Sequence, residues 1–126
     1  MYTVIEGGVT AAAGFETAST AAGIKYKNRK DMAMIYSEKP CRAAGTFTTN
    51  IVKAAPVKWD QKIVKESEYA QAVVINAGIA NACTGAEGMG YCAETAQAAS
   101  AALNVPESAV LVALSLIHIS EPTRPY

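Results

Sequence analysis

The sequence predicts an α/β chain, and three observations carry that expectation. Short apolar runs of strand character recur at residues 32–36, 72–76 and 109–113. Between them lie segments with helical patterning, at 60–69 and from 84 to about 103. Strands that alternate with helices in this way read as a single α/β unit, β-helix-β-helix-β. The third observation is composition: of 126 residues, 51% are hydrophobic and 17% charged, with a mean hydropathy of +0.13. That is enough apolar material for a core and too little charge for a disordered chain.

The first thirty residues mix Gly, Ala and Thr, and the alanine-rich stretch 18–25 is a strand candidate. Residues 25–31, Lys-Tyr-Lys-Asn-Arg-Lys-Asp, read as an exposed turn. Met-Ala-Met-Ile-Tyr at 32–36 has the form of a short strand buried on both faces, ended by residues 37–40. Gly-Thr-Phe-Thr-Thr-Asn at 45–50 is β-branched and aromatic, a further strand candidate. Pro56 makes residues 52–59 an edge strand or an extended connection. Asp60 is then placed to N-cap a helix over 60–69.

Ala-Val-Val-Ile-Asn at 72–76 is the clearest strand of the chain, and a loop follows it. Thr84 with Glu87 three residues later has capping-box spacing, each side chain able to meet a free main-chain N–H of the other. Met89, Cys92, Ala93, Ala96, Ala99, Ala102 and Leu103 then fall on one helical face. So much alanine predicts close packing of this helix on a sheet. Pro106 sits in the connection to the last strand, and no repeat or linker divides the chain.

Charge and cysteine content exclude several classes. Eleven basic residues balance eleven acidic ones, which leaves no basic footprint for nucleic acid or an anionic membrane surface. No apolar run approaches the roughly 20 residues of a membrane span, and the opening Met-Tyr-Thr-Val-Ile-Glu is not a signal peptide. Cys41, Cys83 and Cys92 are odd in number and lack Cys-x-x-Cys spacing. A disulfide scaffold and a zinc site are therefore not expected, and a cytoplasmic location is.

Few residues offer chemistry. A strand, a glycine-containing loop and a helix start at 72–88 can bind an anion, yet they equally describe a turn feeding a capped helix. Asn76, Asn81 and Thr84 are the candidate substrate-binding residues there. Cys83, near the helix start, has no recognisable histidine partner and reads as packing. Asn76-Ala77-Gly78 is similar to a segment of short-chain dehydrogenases, but the glycine-rich cofactor turn is missing and Tyr26-x-x-x-Lys30 lies before it. The single histidine, His118, lies in residues 114–124. Those eleven residues resemble the translation of a sequencing-library adapter. Two domains of origin are thus expected: residues 1–113, natural, and 114–126, a non-native tail.

Six motifs in register point further. Gly7-Gly8-Val9-Thr10 with Gly14-Phe15, then Ala21-Ala22-Gly23-Ile24-Lys25 and Asp31-Met32-Ala33-Met34-Ile35, open the series. Ala43-Ala44-Gly45-Thr46-Phe47-Thr48-Thr49-Asn50 and Val52-Lys53-Ala54-Ala55-Pro56-Val57 follow. Val74-Ile75-Asn76-Ala77-Gly78 running into Asn81-Ala82-Cys83-Thr84-Gly85 closes it. Together they resemble the N-terminal, α-chain part of the bifunctional ornithine acetyltransferase (glutamate N-acetyltransferase) family of arginine biosynthesis. The resemblance implies a partial α/β sandwich with mixed sheets. It also implies transfer of an acetyl group from N-acetylornithine to glutamate, with acetyl-CoA as a further acetyl donor in some members and no metal. The partners implied are a β chain, released when the precursor cuts itself before a threonine, and an α2β2 assembly.

The same resemblance shows what this chain lacks. Family members continue the strand at 110–113 with Ser-Thr-Gly, which would set the oxyanion pair at positions 115 and 116. Here those positions hold Ser115 and Leu116. Ala77 and Ile79 stand where members often carry Ser and Asn. The threonine nucleophile and the Thr-Gly pair lie beyond Ala113, so no catalytic residue carries over and the chain as written is expected to be inactive. The alternative is a non-catalytic binding or structural domain on the same scaffold.

Overall fold

A computed structural model describes residues 2–21, 31–67, 69–76 and 85–114. The chain enters through a 3-10 turn at Val9–Ala11 and Gly14, whose φ of +89° suits only glycine. Four strands and two helices follow: β1 (Phe15–Thr20), β2 (Met32–Cys41), α1 (Ala55–Glu66), β3 (Ala70–Asn76), α2 (Gly85–Leu103) and β4 (Val110–Leu114). The strands form one sheet in the order β1-β2-β3-β4. The first two pairings are antiparallel and β3/β4 is parallel, a mixed sheet as the resemblance implies. The parallel pair is joined by a crossover that contains α2, as parallel strands require.

The core lies between the sheet and α2. Ala72, Val74, Val110 and Val112, alternate residues of β3 and β4, face Cys92, Ala96 and Ala99 of the helix. Gly88, Cys92, Ala96 and Ala99 are buried, so the small side chains do let α2 approach closely. Ala102, expected on that face, is exposed because the helix is ending there. Asn104 takes up the left-handed conformation (φ +56°), and the Val105 N–H returns to Ser100 O at 3.2 Å. α1 lies along β4 and against α2, with Ala55, Pro56 and Ile63 buried.

Several expectations are corrected. Strand β1 is Phe15–Thr20 rather than 18–25, and residues 22–30, with most of the expected turn, lie outside the described residues. Asp31, placed in that exposed turn, is 3% exposed; its N–H donates to Thr20 O at 3.1 Å where the β1/β2 pair closes. β2 runs to Cys41 across an irregularity between Tyr36 and Cys41, and residues 32–36 are only half-buried. The helices cover β3 and β4 and leave β2 at the margin.

Residues 45–50 form no strand. Thr48 Oγ1 accepts from the Asn50 N–H and Asn50 Oδ1 accepts from the Val52 N–H, local bonds that satisfy the chain without a sheet partner. Pro56 marks the first turn of α1, where a missing N–H costs nothing, not an edge strand. Asp60 is consequently inside the helix instead of capping it. The last strand begins at Val110, Ala109 belonging to a 3-10 turn, and it includes Leu114.

Candidate functional site

The parallel register sets Asn76, the last residue of β3, beside Leu114, the last of β4. Both strands therefore finish at the same end of the sheet; residues 77–84 follow the first in sequence and residues 115–116 the second. In α/β sheets this end, beyond the carboxyl termini of parallel strands, is where ligands bind. α2 begins at Gly85, the next residue after the first of these segments.

Asn76 pairs with Met32 of β2 as well as with Leu114, and is half-buried between its neighbours. Asn81 and Thr84 lie outside the described residues, and so do Cys83, the loop 77–83 and the capping box expected of Thr84. Glu87, the other member of that box, accepts a hydrogen bond from the Tyr91 hydroxyl at 2.8 Å along the exposed side of α2. That bond and the Glu87 charge push the Tyr91 hydroxyl above its ordinary value. A carboxylate in the first turn of a helix opposes anion capture by the helix terminus.

Another polar group was missed in sequence. The Asp60 carboxylate reaches across from α1, where its Oδ1 accepts the Val112 N–H at 2.9 Å. Burial pushes its carboxyl up to about 6, against the lowering effect of that N–H. Its neighbour Trp59 donates its indole N–H to Val110 O at 2.9 Å. Both contacts fall on β4, just upstream of the strand end at Leu114. Pro56 followed by Trp-Asp three and four residues on was the available signal, once the proline is taken as a helix start. Among the described residues, no three His, Cys, Asp or Glu side chains converge as a metal-binding group, and no helix is long and apolar enough to cross a membrane.

The model of the ArgJ family matches residues 16–116. The arginine biosynthesis bifunctional protein ArgJ of Gloeobacter violaceus is 48% identical over 109 residues, covering 86% of this chain and 27% of that protein. ArgJ 1 of Clostridium acetobutylicum is 50% identical over 99 residues, 79% of this chain and 24% of its own length. The chain thus spans about a quarter of the curated relatives it matches. Among solved structures, ArgJ of Bacillus halodurans superposes with a TM-score of 0.81 at 36% identity, covering 86% of this chain and 56% of the other. The ornithine acetyltransferase of Mycobacterium tuberculosis, solved with ornithine bound, gives 0.80 at 44% identity, with coverage of 86% and 58%.

Proposed function

The chain belongs to the ArgJ family, and on that premise we propose that it is the leading part of the α chain of an acetyltransferase of arginine biosynthesis. The observation that carries this reading is the parallel register of β3 against β4, with Ile75 against Ala113 at its downstream end. In sequence, the segment holding Asn81 and Thr84 follows β3, and the positions of the family's oxyanion pair, 115 and 116, follow β4. Asn76, Asn81 and Thr84 face the substrate in this reading, and the main chain after β4 supplies the oxyanion contact.

The chemistry is acetyl transfer in two halves. A threonine hydroxyl attacks the acetyl carbonyl of N-acetylornithine, its proton passing to a nearby amine. Charge gathers on the carbonyl oxygen and is held by the oxyanion donors until the C–N bond breaks and ornithine leaves, its nitrogen taking the proton from that amine. The amino nitrogen of glutamate then attacks the threonine ester, and its proton passes through the same amine to the threonine oxygen as the ester bond breaks. In some members of the family acetyl-CoA is a second acetyl donor to the same threonine. The nucleophile belongs to the β chain, the assembly is α2β2, and the enzyme works in the cytoplasm on small molecules.

Ser115 and Leu116 do not supply the family's Thr-Gly pair. We take residues 114–126 as an adapter-derived tail and the chain as inactive, although Leu114 completes β4 in register with Asn76. Resequencing the source DNA across codon 113 with long reads tests this. Ser-Thr-Gly after Ala113 and an Ala–Thr junction downstream are the expected result, followed by acetyl transfer from N-acetylornithine to glutamate by the full-length product. A genuine Leu114 to Tyr126 followed by a stop codon would leave a chain without a nucleophile, and the binding-domain alternative in its place.

A further inference from the structure

Among the described residues, β4 is the outermost strand at its end of the sheet and pairs with β3 alone. An outer strand ordinarily presents its free N–H and C=O groups as a template for another strand. Val110 and Val112 are two residues apart, so their main-chain groups project from one edge. The Val110 C=O and the Val112 N–H flank Leu111, and they are the pair that one residue of a parallel neighbouring strand would engage. Such a residue would donate its N–H to the former and accept from the latter through its C=O.

Both positions are already filled by adjacent side chains of α1. The Trp59 indole N–H donates to Val110 O at 2.9 Å, and Asp60 Oδ1 accepts the Val112 N–H at 2.9 Å. One donor and one acceptor reproduce the hydrogen-bonding face of a strand residue. The indole is not free to swing clear, because Trp59 also packs against both halves of the core. The residues they guard are 0% and 1% exposed. The opposite edge differs: five of the six β1 residues are exposed, and no comparable cover lies over them among the described residues.

We propose that Trp59 and Asp60 form a side-chain lock on the free edge of β4, imitating one residue of a parallel strand and preventing a strand of a second copy from adding there. The lock is independent of the acetyl-transfer reading, since it requires only α1 and β4.

The test uses the 126-residue chain, unsubstituted and as Asp60→Ala, Asp60→Asn and Trp59→Phe. NMR first reads the scalar coupling across the hydrogen bond from the Val112 amide nitrogen to the Asp60 carboxyl carbon. Amide exchange and sedimentation equilibrium follow. In the unsubstituted chain the coupling is present and the Val112 amide is protected. Asp60→Ala speeds Val112 exchange roughly 10- to 100-fold while the Val74 amide holds its rate. It also tightens self-association by roughly tenfold. Asp60→Asn, which keeps an acceptor, leaves both values near the unsubstituted ones, and Trp59→Phe raises association with Val112 still protected. The proposal is overturned by an absent coupling, by a Val112 amide exchanging at the rate of an exposed one in the unsubstituted chain, or by self-association equal in Asp60→Ala and Asp60→Asn. An Asp60→Ala chain too unstable to compare leaves the coupling and the Trp59→Phe association to decide.

Discussion

The two faces of the sheet are built from similar residues and end in different environments. On one, Ala72, Val74, Val110 and Val112 lie under α2 and are 0–3% exposed. On the other, Val73, Ile75 and Leu111, their immediate neighbours in sequence, are only half-buried. Neither face is polar, so the strand sequences do not announce which side the helices take. A strand apolar on both sides has the composition of one covered on both sides. Here the helices occupy one side, and the contrast shows that apolar content marks capacity for burial, whereas burial itself is assigned by the crossovers.

The largest break in this comparison is Trp59→Ala. The indole joins both halves of the covered core and holds Val110 O, so its loss costs about 3–5 kcal/mol. Urea denaturation followed by circular dichroism should show the midpoint collapse; a midpoint shift worth under about 1 kcal/mol would show that the covered face does not depend on it.

A sharper comparison substitutes adjacent residues with the same change. Val74→Thr puts a hydroxyl into the covered face and should cost about 1–3 kcal/mol. Val73→Thr puts it on the open face and should cost less than about 0.5 kcal/mol. Equal losses in paired denaturation curves would mean that the two faces are equally buried in solution.

Asp60 separates the helix-covered side by pH. Its carboxyl holds a proton up to about 6 in the folded chain, against 3.8 ordinarily, because burial disfavours the charge. Between those values the folded state binds more protons than the unfolded one. Stability accordingly falls as pH rises from about 4 to about 6 and levels off above. With partial solvent screening the change is about 1 kcal/mol. Asp60→Asn should flatten this segment of a stability–pH curve, and an unchanged slope would assign it to another group.

The smallest expected effect concerns the end of α2. Asn104→Gly places the residue best suited to φ +56° at the turn that releases the chain towards β4. A gain of a few tenths of a kcal/mol in thermal melting is expected, and a loss would show that the Asn104 side chain contributes more than its backbone conformation costs.

Local pattern made much of this legible. Residues 72–76 and the alanine face of α2 could be read directly, since a run of β-branched residues and a helical repeat of small ones each have one natural structure. The errors cluster where one residue has two uses. Pro56 serves an edge strand or a first helical turn, and Asp60 serves an N-cap or a helix interior; the choice between them depends on β4, some fifty residues away. Residues 45–50 have strand composition without a partner. For the candidate site, the motifs pointed to the segment that follows Asn76, and only the register shows that Asn76 itself lies beside the end of β4.

By itself the sequence determined the α/β class, the family, and the runs that become β3, β4 and α2, because these follow from local periodicity and from motifs that need no partner to be recognised. Tertiary structure alone decided which face of the sheet is covered, that β3 and β4 run parallel with Asn76 against Leu114, and that Trp59 and Asp60 close the edge of β4. Those are pairings between distant segments, and a hydrogen bond from residue 60 to residue 112 leaves no trace in the chain near either one.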